Sequence, residues 1–550
     1  MSLGVALVAT ALLAGFLNSM LTAALTAKVR AERAQQSLGA LASQASTGDF
    51  GNLATSLGTA SADLNQLASS TQSWQWQVLE KLPVIGPSAG ALTVITKQLT
   101  DIAAAAVPLS QTVARTTSTA ELVASLPLLV KDFWAIADQA GKSISELETL
   151  ESVHLNFGLN TELPKLLSQL ESLVGLGTVV ESNADPLLDL MGFSGDRTYL
   201  IMLQNPAELR GSGGLFSAFI IMKLTDGTPV IVEANSRKVL DELRIPVPDD
   251  LDLGEQLVWG EYLTKWASFS TSGDFPTTAR LAAAGMAARS MPVDGVIAID
   301  PGAVQAMLAG TGAVEHQGVS IDATTAANFF LKDIYDKFPG FPDVEAKDQL
   351  ALGLIYATVD SLLNRPLDIR ALSAAITPAI ADGHIKVWVP IEEEEDWLAG
   401  LGVAARLSDL PESEPFVVFN NATGGKLDAY VETLIKHDEH DCPNSSPGQL
   451  ARSQSTLSIT LTNSAPTGLP PYVDVRLDDQ PSGTGATSLL VSIYGPLGSS
   501  LKQMRVNGIE VDVTTNTAQG RPLWLTQVEL PRGAKRELAI TYIYPGAPSC

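Results

Sequence analysis

The chain has 550 residues, of which 45% are hydrophobic and 17% charged. That composition buries real cores, which excludes a disordered polymer, and the length exceeds one ordinary domain. The formal net charge is -25, from 60 acidic against 35 basic residues, and so acidic a surface argues against nucleic acid as a partner.

The chain opens on Leu3–Ala27, a run of 25 residues without a charge. At 1.5 Å per residue, such a run crosses a hydrocarbon core of about 30 Å. It predicts a transmembrane anchor over residues 1–30 of a single-pass cell-membrane protein, with the bulk of the chain extracytoplasmic. A cleaved signal is the rival, but its apolar region is typically only about 7–15 residues. Lys28, Arg30 and Arg33 follow the span, which the positive-inside rule reads in the opposite orientation.

Residues 31–190 carry helical stripes. Phe50, Leu53, Leu57, Ala60, Leu64 and Leu67 recur at steps of three and four, as do Leu92, Ile95, Leu99, Ile102, Ala106 and Leu109. This spacing predicts a helical bundle or stalk. From about residue 191 to 440 the pattern becomes mixed. Arg197–Leu203, Leu215–Leu224 and Val293–Ile299 read as strands, with helices over Thr277–Arg289, Ala303–Ala309 and Gln349–Leu363. Thr225–Asp226–Gly227–Thr228 reads as a hairpin turn. An α/β (α+β) domain is expected here. Residues 450–550 read as a small β-sandwich, with strands at Thr456–Leu461, Tyr472–Leu477, Ser488–Tyr494, Gln503–Val506, Leu523–Leu530 and Glu537–Tyr544.

Two cysteines, Cys442 and Cys550, lie in the C-terminal part. A disulfide fits an oxidising compartment, and two unrelated thiols fit equally well. Gly86–Pro87–Ser88–Ala89–Gly90 matches a nucleophile-elbow pattern, but its flanks are helical, so Ser88 reads as a helix cap. His437–Cys442 reads as a solvated acidic loop, because it holds no zinc spacing. Glu392–Asp396 reads as a solvated charge run.

The most unusual stretch is Gln204–Gly214, between two apolar strands. It offers Gln204, Asn205, Glu208, Arg210, Ser212 and Gly213. Glycines let backbone amides approach an anion, and an arginine grips phosphate or carboxylate bidentately. The alternative is an Arg210–Glu208 pair that orders a connecting loop.

The same residues carry a resemblance. Thr198–Asn205, Glu208–Arg210 and Ser212–Gly214 resemble the signature of the domain of unknown function 4012 family. Gly273–Pro276, Val293–Pro301, Thr311–Gly312, Asn420–Asp428 and Leu461–Pro466 resemble further blocks in the same order. The resemblance implies a bacterial, often actinobacterial, membrane-anchored protein with an extracytoplasmic body in envelope or exopolysaccharide biology. Its expected role is binding or scaffolding, with an envelope glycopolymer or a lipid-linked precursor as partner.

The run from Val293 to Val314 is also similar to a block of the LytR-CpsA-Psr phosphotransferases. That similarity implies a pocket where Arg210 meets a second basic group and metal-binding carboxylates, with magnesium as the metal. Arg280, Arg289, Asp274 and Asp300 are the candidates. Arg210 is followed by Gly211–Ser212–Gly213, where those enzymes carry an arginine–x–aspartate–threonine motif.

Overall fold

The computed structural model describes residues 18–37, 40, 50–116, 118–156, 158–439, 452–478 and 484–545. The chain divides into two compact units, residues 1–194 and 195–550. Both cysteines and residues 1–17, which hold much of the uncharged run, lie outside the described residues. Among the described residues, no helix is long and apolar enough to cross a membrane.

The first unit is helical. A helix over residues 18–37 is followed by α1 (Phe50–Thr71), α2 (Gly86–Arg115), α3 (Leu126–Glu148) and α4 (Leu159–Leu190). The stripe read on α1 is its packed face, with Leu57, Ala60, Leu64 and Leu67 buried. Ile95, Ala140, Leu147, Leu163 and Leu167 close a core between α2, α3 and α4. Gly177 of α4 lets α3 approach, since a Cβ there would lie 2.3 Å from the Cβ of Ala137. The flanks of Ser88 are helical, as read, but Ile85 holds the cap position of α2. The buried Ser88 hydroxyl instead accepts from the backbone N of Asn156 at 2.8 Å.

The second unit begins with the strands β1 (Arg197–Arg210), β2 (Gly213–Thr225), β3 (Thr228–Ser236) and β4 (Gly295–Ile299). The small hairpin of β5 (Val314–His316) and β6 (Val319–Ile321) stands apart, and β7 (Ile385–Trp388) returns to the first strands. The resulting five-stranded sheet is ordered β3-β2-β1-β4-β7. The turn between β2 and β3 is the expected one, with Asp226 and Gly227 at φ 48° and 73°, the left-handed pair a tight hairpin needs. Only β1 and β4 run parallel.

Alternation along β1 serves two cores. Leu200 and Met202 join Phe216, Trp266 and Phe269 on one face. That face carries α5 (Leu253–Trp259) and α6 (Phe275–Ala288). Ile201 and Leu203 join Val304, Leu350 and Leu354 on the other. This second face is covered by α7 (Pro301–Thr311) and α8 (Val344–Asn364).

The remaining strands are β8 (Phe416–Asn421), β9 (Val431–Glu439), β10 (Arg452–Asn463), β11 (Thr487–Tyr494), β12 (Ser500–Val506), β13 (Ile509–Glu510), β14 (Thr514–Ala518), β15 (Arg521–Leu530) and β16 (Lys535–Pro545). They form two further sheets, ordered β13-β12-β16-β10-β9 and β14-β15-β11-β8. Ile459, Val491, Trp524 and Ile540 close one core between the two sheets. Strands β8 and β9 precede residue 450, so these sheets recruit chain from before the region read as β.

Three local readings need correction. Tyr472–Leu477 is no strand: Pro471–Asp474 form a helical turn that presents Tyr472 to Tyr335. His437–Glu439 are no loop: they end β9, and the ring of His437 stacks on Tyr542. The acidic run opens α9 (Glu392–Gly400), and it is solvated at Glu392, Glu393 and Asp396 but buried at Glu394 and Glu395. Glu394 pairs with Arg197, and Glu395 accepts from the backbone N of Val389 at 3.0 Å.

Candidate functional site

Most of the stretch read as a loop is strand. β1 continues to Arg210 through two irregularities, after Leu203 and after Asn205, and only Gly211 and Ser212 make the turn. A Cβ on Gly211 would lie 2.0 Å from the carbonyl oxygen of Thr271, and one on Gly214 would lie 2.4 Å from the carbonyl carbon of Asn205. These glycines admit neighbouring backbone. The turn's amides are spent as well: Gly211 N donates to Asn420 Oδ1 at 2.9 Å, and Ser212 N to the oxygen of Ser270 at 3.1 Å.

The charges of this stretch meet partners far along the chain. Glu208 is buried and accepts from Arg210 Nη2 at 2.6 Å and from Lys426 Nζ. Burial alone would raise its pKa, but Lys426 and Arg210 outweigh that and hold it below the usual carboxylate range. Arg210 also donates to the oxygen of Leu209 at 2.8 Å. Beside it, Asp428 accepts from Leu209 N at 2.9 Å, Asn421 Nδ2 at 2.7 Å and Thr487 Oγ1 at 2.9 Å. Its burial pushes the carboxyl up to about 6.

The remaining candidates disperse. Asp274 caps α6 through Thr277 N at 3.0 Å and accepts from Leu407 N at 3.0 Å. Asp300 caps α7 through Gly302 N at 2.8 Å and meets His384 Nδ1 at 2.8 Å. Arg280 pairs with exposed Asp250. Arg289 grips Glu233 with both terminal nitrogens, at 2.9 and 2.8 Å. Arg210 therefore meets neither aspartate, and its guanidinium is spent on Glu208 and backbone oxygens. Among the described residues, no group of three or more His, Cys, Asp or Glu side chains is placed to hold a metal ion. The donor set does not fit magnesium.

Gln204, Asn205 and Asp300 do converge, on a cavity of about 50 Å³ at the C-terminal end of β4, where its parallel pairing with β1 stops at Leu203 and Ile299. Crevices beyond the carboxyl ends of parallel strands are where open α/β sheets bind ligands. Asn205 Nδ2 donates to the hydroxyl of Tyr335 at 2.9 Å. Lys347 Nζ donates to Asp348 Oδ1 at 2.6 Å and lies 5.8 and 5.7 Å from the rings of Tyr335 and Tyr472. Burial first, and then Lys426 and Lys238, push the Lys347 amine down against the pull of Asp348. Gln204 Nε2 donates to Ser212 Oγ at 3.1 Å, so the turn after β1 is tied to the cavity wall. Gly213, at φ 138°, packs its backbone on that same amide.

Residues 194–335 match the family model described as "Protein of unknown function (DUF4012)". This segment belongs to the DUF4012 family. No curated protein and no solved structure matches the chain. The DUF4012 segment holds β1 to β6, and its signature strand is completed from outside it: Asn420, Lys426 and Asp428 supply the partners of Gly211, Glu208 and Leu209. Two of the sequence blocks that resemble the family are thus one interlocked contact.

Sequence reasoning missed Lys347, Tyr335, Lys426 and Glu255. Lys426 is the lone cation of the block Asn420–Asp428, which is a usable signal. Lys347 and Tyr335 lie on plain amphipathic stretches, and only the fold brings them to β1. Glu255 is fully buried on α5, where Trp259 Nε1 and Ser272 Oγ each donate to it at 2.8 Å and Tyr494 at 3.2 Å.

Proposed function

We propose that this chain is a membrane-held envelope protein whose extracytoplasmic body binds a ligand or partner without transferring a chemical group. The observation that carries the binding reading is the Glu208–Arg210–Lys426 cluster. A transferase pocket needs Arg210 available to a phosphate and carboxylates available to a metal. Here Arg210 is spent on Glu208, and Asp274 and Asp300 are spent as helix caps. Envelope glycopolymers and lipid-linked precursors remain the partner classes this location offers, and the net charge of -25 argues against nucleic acid.

The location rests on the uncharged run Leu3–Ala27. Of the basic residues that follow it, Lys28 lies 3.8 Å from Glu32, and Arg30 donates to the backbone oxygen of Gln66 at 2.7 Å. The full chain should fractionate with membranes, and a C-terminal tag should be reachable by protease on intact cells. Recovery of the chain in the soluble cytoplasmic fraction would refute the location.

A further inference from the structure

The cavity beside the middle of β1 and the end of β4 has an uneven lining. Leu203, Ile299, Val304, Phe330, Leu352 and Ile355 give it an apolar wall. Gln204, Asn205, Asp300, Tyr335, Lys347 and Asp348 give it a polar side.

The donors and acceptors of that polar side do not balance. Asp348 is met by Lys347 at 2.6 Å and by Lys238 at 3.1 Å. Asn205 spends its amide on Tyr335 and its oxygen on Ala207 N at 2.9 Å. The Tyr335 oxygen accepts from Asn205, and its own proton has no acceptor among the described residues. The Lys347 ammonium carries three N–H groups, and its hydrogen bond among the described residues is to Asp348. What is left over is donors. Asp300, the other carboxylate of the lining, is already spent on Gly302 N at 2.8 Å, Ala303 N at 3.2 Å and His384 Nδ1 at 2.8 Å, so it takes up none of these donors.

Size limits the occupant. A water needs about 10–15 Å³ of such space, so a cavity of about 50 Å³ takes about three to five water-sized groups. We propose that the cavity binds a small carboxylate with a short apolar body, its carboxyl group between Lys347 and Tyr335. This rests on the binding reading above and is independent of the membrane location.

The test uses the full chain in detergent, titrated with sodium butyrate, with 1-butanol and butylammonium chloride as probes of matched size. Thermal unfolding and calorimetry are the readouts. Butyrate should bind saturably and raise the melting temperature, while butylammonium should not. Tyr335→Phe should weaken butyrate at least about tenfold, the value of one hydrogen bond to a charged group. Ala351→Leu fills the cavity and leaves the polar side in place, so it should abolish butyrate binding in a folded protein. Equal binding of butanol, or of inorganic phosphate, would overturn the carboxylate or the apolar half of the proposal. Unchanged butyrate binding in folded Ala351→Leu, or no saturable binding to the unmutated chain, would overturn the site. None of these results bears on where the chain fractionates.

Discussion

Glu208 pairs with two cations at once, and both are largely hidden from water. Removing one partner of a buried ion pair is far worse than replacing the whole pair, because the survivor keeps its charge without compensation. Glu208→Gln leaves Lys426 and Arg210 facing each other, and should cost about 3–5 kcal/mol in urea unfolding. Arg210→Lys keeps the charge and loses the fork to Leu209, so about 1–2 kcal/mol is expected. Equal small losses for both would contradict the pairing.

Glu255 behaves in the opposite sense. Burial raises its carboxyl from 4.5 to about 7, against the donors Ser272, Tyr494 and Trp259. Its folded pKa exceeds the unfolded value, so its contribution is fully present below about pH 4.5 and is lost as pH rises toward about 7. Glu255→Gln should flatten the stability profile in that window. The low pKa of Glu208 acts at the acid end: its contribution is complete above the unfolded value and is lost as pH falls through the lower folded value. Unfolding midpoints of the two variants from about pH 2 to 8 separate these effects.

At the scale of elements, α5 is fitted to β14 without slack. A Cβ on Gly254 would lie 1.6 Å from the oxygen of Thr517, which is backbone and cannot swing aside. Gly254→Ala should therefore lower stability by about 1–3 kcal/mol, the usual cost of overpacking, and thermal unfolding would show it.

The strand ends also bear on the cysteines. β9 and β16 both pair antiparallel with β10, on its two sides, and Ser455 faces Glu439 on one and Tyr542 on the other. Both strands leave the sheet at the same end, about 9–10 Å apart. Cys442 and Cys550 follow within a few residues, so a bridge is within reach. Exported protein should resist alkylation until reduced, and ready alkylation would count against the bridge.

Elements of strong local character are legible in the sequence. The α1 stripe follows from its 3.6-residue period, and the Asp226–Gly227 turn from residues that tolerate positive φ. The run 204–210 is not legible, because its strand is broken by two irregularities and Glu208 and the backbone of Leu209 bind residues about 200 positions away. Tyr472 misleads for a related reason: a β-prone sequence is overridden by the Pro470–Pro471 entry into a helical turn. The cavity residues give no local signal, since Lys347 and Tyr335 acquire meaning only where the fold brings them to the middle of β1.

For the molecule as a whole, long-range closure governs how the second unit is made. Arg197 pairs with Glu394, Leu209 N with Asp428, and Glu208 with Lys426. Each of these partners lies beyond residue 335, where the DUF4012 match ends. A ribosome that has just finished the matched segment has produced a strand whose buried acid and arginine still lack their third member. Closing such distant contacts is slow, and a half-made unit exposes apolar strands meanwhile. Residues 194–335 expressed alone should collect in aggregates, whereas residues 195–545 should give a soluble, cooperatively melting protein. The end of the DUF4012 match and the boundary of folding therefore fall at different places in this chain, and a chaperone that met it during synthesis would have to hold β1 until about a hundred further residues had emerged.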